Sequence, residues 1–167
     1  SVYSEGAPLA PTYVFEKHLP VLGICYGMQA IAHQLGGKVS PGEKREYGHA
    51  VLHIETDGSD LLAGLPTSMP VWMSHGDEVS ELPPGFRALG YTENARYAVI
   101  GNDDGVYGLQ FHPEVAHTPQ GKQLIENFAY RVCGCSGNWT PARFISDSVE
   151  RIRAQVGNGK VVCALSG

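Results

Sequence analysis

Cys25 lies between two glycines, Gly23 and Gly27, in a context that suits a nucleophile. The apolar segment 20–24 before it is typical of a buried strand, and the apolar residues after it recur at helical spacing. We therefore predict a sharp strand-to-helix turn at the cysteine, which glycines on either side would allow. The N–H groups and positive dipole at the helix start favour the reactive thiolate. The pentapeptide alone fits a buried core cysteine beside a packing glycine equally well.

His112 and Glu114 supply the other side chains that a cysteine nucleophile needs. They lie at the end of segment 106–112, whose alternating apolar residues predict a strand, and sites in open α/β sheets gather at strand ends. The histidine would accept and return protons, and the carboxylate would hold its ring in orientation. Either residue alone would be an ordinary turn or surface side chain. Together with Cys25, they predict a catalytic triad.

The remaining patterns predict strands alternating with helices, which favours an α/β architecture with a partly parallel sheet. Residues 51–98 show strand-like alternation, and segment 161–165 is typical of a buried strand. A helix is predicted after Cys25, ending at Gly36. A second is predicted to begin at Thr118 and Pro119, where threonine would be the N-cap and proline the first helical residue. A third would contain Val149, Ile152 and Val156 and end at Gly157, with residues 133–141 as a linker before it.

The composition excludes several classes of protein. The chain has 167 residues, of which 43% are hydrophobic, and a formal net charge of −5, which argues against a nucleic-acid binder. No apolar run approaches the roughly 20 residues that a membrane span needs. Four cysteines do not form a disulfide scaffold, so a reducing cytoplasm is expected. Cys133 and Cys135 lack a second pair at zinc-site spacing, so no metal site is expected.

Three segments resemble the motifs of class I glutamine amidotransferases, in the order in which that family has them. They are the nucleophile segment 23–29, the segment 74–77 and the segment 110–114. The resemblance implies an open, mostly parallel, flavodoxin-like sheet with flanking helices. It also implies that Cys25 attacks the carboxamide of glutamine, that His112 transfers protons, and that Glu114 orients His112.

The same resemblance implies roles for residues around the nucleophile. The backbone N–H of Tyr26 would be one oxyanion-hole donor, and Gln29 would help to hold the amino-acid end of glutamine. The backbone of segment 74–77 would do the same, with Ser74, Gly76 and Asp77 as the substrate-binding residues.

Four further segments resemble the GMP synthetase branch of this family: 45–49, 74–79, 138–141 and 151–157. The resemblance implies a glutaminase domain over residues 1–135 that lacks its N-terminal part. Residues 136–167 would be a linker and the first helix and strand of an ATP pyrophosphatase domain, with Ser166 and Gly167 at the start of its ATP-binding loop. The longer enzyme would use ATP, Mg²⁺ and XMP and would form a homodimer, without nucleic acid or membrane partners. This part would itself hold no cofactor.

We expect the chain by itself to be a poor glutaminase, because the loop that supplies the second oxyanion-hole donor in the family would precede Ser1. Three alternatives stay open from the sequence. Another class I amidotransferase, of the anthranilate or carbamoyl-phosphate type, would use the same triad. A cysteine hydrolase would act on γ-glutamyl conjugates. A non-catalytic glutamine-binding module would have an unreactive Cys25.

Overall fold

The computed structural model describes residues 1–55 and 59–164. Two compact units divide the chain, Ser1–Gly134 and Cys135–Gly167. In the first unit, the α-helices are α1 (Tyr13–Glu16), α2 (Tyr26–Gln34) and α3 (Gly121–Asn127), and the strands are β1 (Val21–Ile24), β2 (Lys38–Ile54), β3 (Ser68–Glu81), β4 (Arg87–Tyr91), β5 (Val99–Gly101) and β6 (Val106–Leu109). A short 3₁₀ helix (Asp60–Leu62) precedes β3, and a π-helical turn (Phe128–Val132) follows α3. In the second unit, the described element is helix α4 (Pro141–Val156).

The strands form one open sheet in the order β1-β6-β5-β4-β2-β3. Strands β1 and β6 run parallel, with Ile24 level with Leu109, whereas the other neighbouring pairs are antiparallel. The open α/β sheet with flanking helices is confirmed, but the expectation that it is mostly parallel is wrong for the described strands. Among the described residues, no α-helix connects the strands from β2 to β6, so they lack the long crossover that a parallel pair requires, and the pairs among them are antiparallel.

Two apolar clusters cover the two faces of the sheet. Val99 and Ile100 are adjacent in β5 and both fully buried, so their side chains point to opposite faces. Val99 joins the larger cluster, which includes Phe111 and reaches Leu124 of α3, while Ile100 packs with Met28 of α2. The sheet thus has α2 on one face and α3 on the other, which fixes both helices relative to the strand ends.

Strand β1 and helices α2 and α4 confirm the sequence predictions for those segments. Helix α4 begins after Thr140, whose hydroxyl accepts a hydrogen bond from the Arg143 N–H at 3.2 Å, and ends before Gly157 at φ 56°. None of the helices among the described residues, α4 included, has the length and apolar composition of a membrane span.

Two predicted boundaries and one predicted strand are wrong. Strand β6 ends at Leu109 instead of residue 112, because the His112 N–H bonds to the Trp72 carbonyl at 3.0 Å, outside the β6 ladder. Helix α3 begins at Gly121 instead of Thr118, whose hydroxyl bonds to the His112 carbonyl instead of capping the helix. Residues 161–164 are exposed and form no strand, since no described strand pairs with them. Ser166 and Gly167, predicted to start an ATP loop, lie outside the described residues.

Candidate active site

Cys25 occupies the sharp turn between β1 and α2, in a conformation that non-glycine residues rarely adopt. Its φ is 50° and its ψ is −105°, and its N–H donates to the Leu109 carbonyl at 2.7 Å. The turn needs a glycine at position 23, because a Cβ there would lie 2.6 Å from the carbonyl oxygen of Gly27. Strain of this kind persists only where the surrounding structure imposes it, and such residues cluster at functional sites.

The Cys25 sulfur makes two hydrogen-bond contacts that define its resting state. Its S–H donates to the Ser74 carbonyl at 3.6 Å, and Nε2 of Gln110 donates to the sulfur at 3.8 Å. In its thiol form, Cys25 therefore has the Ser74 carbonyl as acceptor and the Gln110 amide as donor.

The helix start favours the Cys25 thiolate in the expected direction, but it does not decide the net pKa. Burial raises the pKa of the Cys25 thiol, the Tyr26 N–H lowers it, and the Glu114 carboxylate raises it again. The Gln110 amide lowers it a little, but the net pKa lies above the ordinary value for a cysteine. Loss of water around the sulfur thus outweighs the helix N–H groups.

The raised pKa predicts how Cys25 reacts with iodoacetamide. Because the thiolate is the attacking form, its alkylation rate should be low near neutral pH and should continue to rise beyond the range in which an ordinary cysteine is fully ionised. Mass spectrometry of the Cys25 peptide across a pH series measures this rate. The peptide of exposed Cys135 provides an internal comparison. A Cys25 rate that reaches its plateau at neutral pH would contradict the prediction.

His112 and Glu114 form a close pair at the end of the segment that follows β6. Nδ1 of His112 lies 2.7 Å from Oε1 of Glu114, and the backbone of His112 is held on both sides. Its N–H donates to the Trp72 carbonyl at 3.0 Å, and its carbonyl accepts from the Thr118 hydroxyl at 2.7 Å. The imidazole is therefore fixed through Nδ1, which leaves Nε2 as the nitrogen able to exchange a proton.

The parallel pairing of β1 and β6 brings these groups to the same edge as Cys25. Ile24 is level with Leu109, so both strands end together, and the Glu114 carboxylate is close enough to raise the pKa of Cys25. Among the described residues, the hydrogen bonds of the sulfur run to Ser74 and Gln110 and not to His112. Catalytic hydrogen bonds are often longer without substrate. The triad role stays a prediction.

The residues predicted to bind substrate lie around the same turn. The backbone N–H of Tyr26, the residue after the nucleophile, lowers the pKa of the Cys25 thiol. Gln29 is buried in α2 and donates from Nε2 to the Asp77 carbonyl at 2.8 Å. In β3, Ser74 presents its carbonyl to the sulfur, and Gly76 lies between Ser74 and Asp77. Their roles toward a substrate stay predictions.

Sequence reasoning gave no role to Gln110, although the structure places its side chain on the sulfur. A signal was present, since Gln110 is a polar residue in an otherwise apolar segment and buried polar groups need partners.

A second buried pair, Glu46 and His75, was also missed. Oε2 of Glu46 lies 3.2 Å from Nε2 of His75, and the carboxylate accepts from Thr92 at 3.1 Å and from Asn94 at 3.1 Å. Nδ1 of His75 lies 3.1 Å from the Asp77 carbonyl, the same oxygen that Gln29 contacts. The pair therefore anchors the strand next to the nucleophile.

Glu46 is expected to make the fold sensitive to acid. Burial raises the pKa of Glu46, but hydrogen bonds from His75, Asn94 and Thr92, with the charge of His75, outweigh it and leave the pKa lowered. A lowered pKa in the folded state stabilises the fold above the ordinary glutamate pKa of about 4, and this stabilisation is lost as the pH falls through the folded value. Glu46→Gln should therefore flatten the acid side of the stability curve, measured by urea unfolding from neutral to acidic pH. Parallel curves for both proteins would contradict this. Glu81→Gln, at an exposed ion pair with Lys38, is the control.

No group of three or more metal-ligating side chains in the described parts of the chain is arranged to hold a metal ion.

Comparison with known proteins shows the family to which the chain belongs. The model of the family "Glutamine amidotransferase class-I" matches residues 1–132. The chain belongs to the class I glutamine amidotransferase family.

Within that family, the chain is similar to proteins named GMP synthase [glutamine-hydrolyzing]. It is 60% identical to one from Dehalococcoides mccartyi and 52% identical to one from Thermomicrobium roseum, in each case over all of this chain and 31% of the relative. The chain thus spans about a third of the length of these curated relatives.

Two solved structures support the fold. The crystal structure of a putative GMP synthase subunit from Thermoplasma acidophilum has a TM-score of 0.68 at 29% identity, covering 81% of this chain and 64% of that chain. A glutamine amidotransferase from Thermotoga maritima has a TM-score of 0.58 at 25% identity, covering 86% of this chain and 60% of that chain.

Proposed function

We propose that, as part of a longer protein, this chain hydrolyses glutamine to glutamate and ammonia, with Cys25 as nucleophile and His112 and Glu114 as its proton-transfer pair. One observation carries the proposal. Cys25 lies on a strained strand-to-helix turn at the sheet edge where the hydrogen-bonded pair of His112 and Glu114 also lies. Nucleophile, base and orienting carboxylate are the parts that amide cleavage through a covalent intermediate requires.

The first half of the reaction forms a thioester. Nε2 of His112 takes the proton of the Cys25 thiol, and the sulfur attacks the carboxamide carbon of glutamine. The Tyr26 N–H stabilises the oxyanion that develops. Ammonia leaves with the proton from His112, and a glutamyl thioester remains on Cys25. The raised pKa of Cys25 means that the thiolate forms chiefly when His112 is in place to accept the proton.

The second half releases glutamate. His112 takes a proton from a water molecule that attacks the thioester carbon, and the sulfur leaves and regains the proton. Glu114 stays ionised and stabilises the imidazolium during both halves. Gln29 and the backbone of Ser74, Gly76 and Asp77 hold the amino-acid end of the substrate. Their positions around the turn support this role.

In the longer protein, the ammonia aminates adenylated XMP to give GMP. The similarity to proteins named GMP synthase [glutamine-hydrolyzing] over the whole chain supports this assignment. ATP, with Mg²⁺ on its phosphates, and XMP would be bound outside the described residues, and the longer protein would act as a homodimer in the cytoplasm.

Glutamine labelled with ¹⁵N at the amide tests both levels of the proposal in the full-length protein. We expect equimolar glutamate and labelled ammonia from glutamine alone, and labelled GMP when XMP, ATP and Mg²⁺ are added. Labelled anthranilate or carbamoyl phosphate with the corresponding substrates would assign another branch of the family. Cleavage of γ-glutamyl peptides in preference to glutamine would indicate a hydrolase. An absence of labelled ammonia, together with no Cys25 labelling by a glutamine-analogue electrophile, would contradict the glutaminase activity itself.

A further inference from the structure

Gln110 is a fully buried polar side chain in contact with the nucleophile. Its carboxamide has a partner at each end. Oε1 accepts from Nε2 of Gln29 at 3.4 Å, and Nε2 donates to the Cys25 sulfur at 3.8 Å. A buried amide without partners would be costly, so this pair of contacts is what allows a glutamine at this position.

The orientation of the Gln110 carboxamide is set by Gln29. Nε2 of Gln29 donates both to the Asp77 carbonyl at 2.8 Å and to Oε1 of Gln110. Because Nε2 of Gln29 is a donor, the end of Gln110 that faces it must be the acceptor oxygen. The donor end of Gln110 is therefore directed at the sulfur.

We propose that Gln110 is a positioning residue that stabilises the thiolate of Cys25 with its Nε2–H, and that Gln29 holds it in the required orientation. The proposal rests on the proposed role of Cys25 as nucleophile. Gln110 acts through the sulfur and does not touch the substrate.

The need for such a donor follows from the groups around the sulfur. In the thiol state, the S–H has the Ser74 carbonyl as acceptor, but this oxygen can only repel a thiolate. Burial and the Glu114 charge also disfavour the thiolate. Two donors favour it, the Tyr26 N–H and Gln110. Of these two donors, Gln110 is the one supplied by a side chain, and it acts on the thiolate before the sulfur attacks the substrate.

The pH dependence of Cys25 alkylation tests this role directly. Gln110→Met keeps an unbranched side chain and removes the donor. We expect the iodoacetamide rate at the Cys25 peptide to fall roughly three- to tenfold near neutral pH, and its rise to move to higher pH. Asn127→Ala is the control, because Asn127 is another buried amide, whose Nδ2 donates to the Leu61 and Ala63 carbonyls away from Cys25. It should lower stability and leave the Cys25 profile unchanged. An unchanged profile in folded Gln110→Met would overturn the proposal.

A variant at Gln29 separates orientation from packing, and by itself it also covers the case in which Gln110→Met does not fold. Gln29→Met should shift the Cys25 profile in the same direction but less, because the donor stays and loses only its orientation. In the double variant, Gln29→Met should add nothing to the effect of Gln110→Met, since Gln29 acts through Gln110. Independent effects of the two substitutions, or no shift from Gln29→Met alone, would overturn the coupling.

Alkylation is measured without glutamine, so the expected shifts can be observed even in a protein that does not hydrolyse glutamine. Conversely, an active protein with an unshifted profile contradicts only the role of Gln110.

Discussion

Replacing Cys25 with alanine is expected to lower glutamate release from glutamine by about 10⁴- to 10⁶-fold. The thioester cannot form without the sulfur, and neither His112 nor Glu114 can replace it at the turn. The fold should survive, because alanine removes only the sulfur and its two weak contacts, to Ser74 and Gln110. The backbone strain at position 25, where φ is 50°, is the same for alanine as for cysteine, so we expect the turn to keep its conformation. Glutamate release under saturating glutamine measures the effect.

The matched control is Cys135→Ala, at an exposed cysteine in the other compact unit. It should keep the activity of the unmodified protein. Glutamate release by Cys25→Ala at an undiminished rate would show that Cys25 is not the nucleophile. Equal losses in both variants would point to a general loss of folding, which thermal unfolding of the two proteins would detect.

Replacing Gly121 with alanine is expected to destabilise the protein by about 3 kcal/mol or more. A Cβ at this position would lie 1.8 Å from the carbonyl oxygen of Pro113, so backbone must move. Pro113 lies between His112 and Glu114, and the displacement therefore falls on the proton-transfer pair. For a chain of this size, the loss corresponds to a melting temperature lower by roughly 6 to 12 °C. We expect glutamate release to fall as well, even at temperatures where the variant is folded.

Gly27→Ala is the control for the effect of adding a methyl group to a helical glycine. A Cβ at Gly27 would meet no atom within 4 Å, and Gly27 is not among the glycines with positive φ. Its melting temperature should stay the same or rise, because alanine is favoured over glycine in a helix by about 1 kcal/mol. If Gly121→Ala unfolds at the same temperature as the unmodified protein, α3 does not pack against the His112 segment as described.

The sequence was sufficient to predict the residue types of the site and the local elements that hold them. The turn at Cys25 follows from two glycines, an apolar run before it and helical spacing after it, all within short segments. Strand β1 and helices α2 and α4 were predicted for the same reason, since local periodicity and capping residues determine them. Family membership also came from short motifs in a fixed order, and the match over residues 1–132 confirms it.

Properties that depend on distant segments were not predictable in this way. The end of β6 and the start of α3 depend on Trp72, whose carbonyl accepts from the His112 N–H and whose N–H donates to the Thr118 hydroxyl across the fold. The raised pKa of Cys25 depends on how much water the surrounding chain removes, and this outweighs the local helix start.

The chain's own sequence thus determined which side chains can do the chemistry and which turns and helices carry them. Tertiary structure alone decided the surroundings of those side chains: the burial that raises the pKa of Cys25, a donor from Gln110, and a Glu46–His75 pair behind the neighbouring strand. The physical reason is that periodicity and backbone preference act between near neighbours. Burial, charge and hydrogen-bond partners instead arise between residues that only folding brings together.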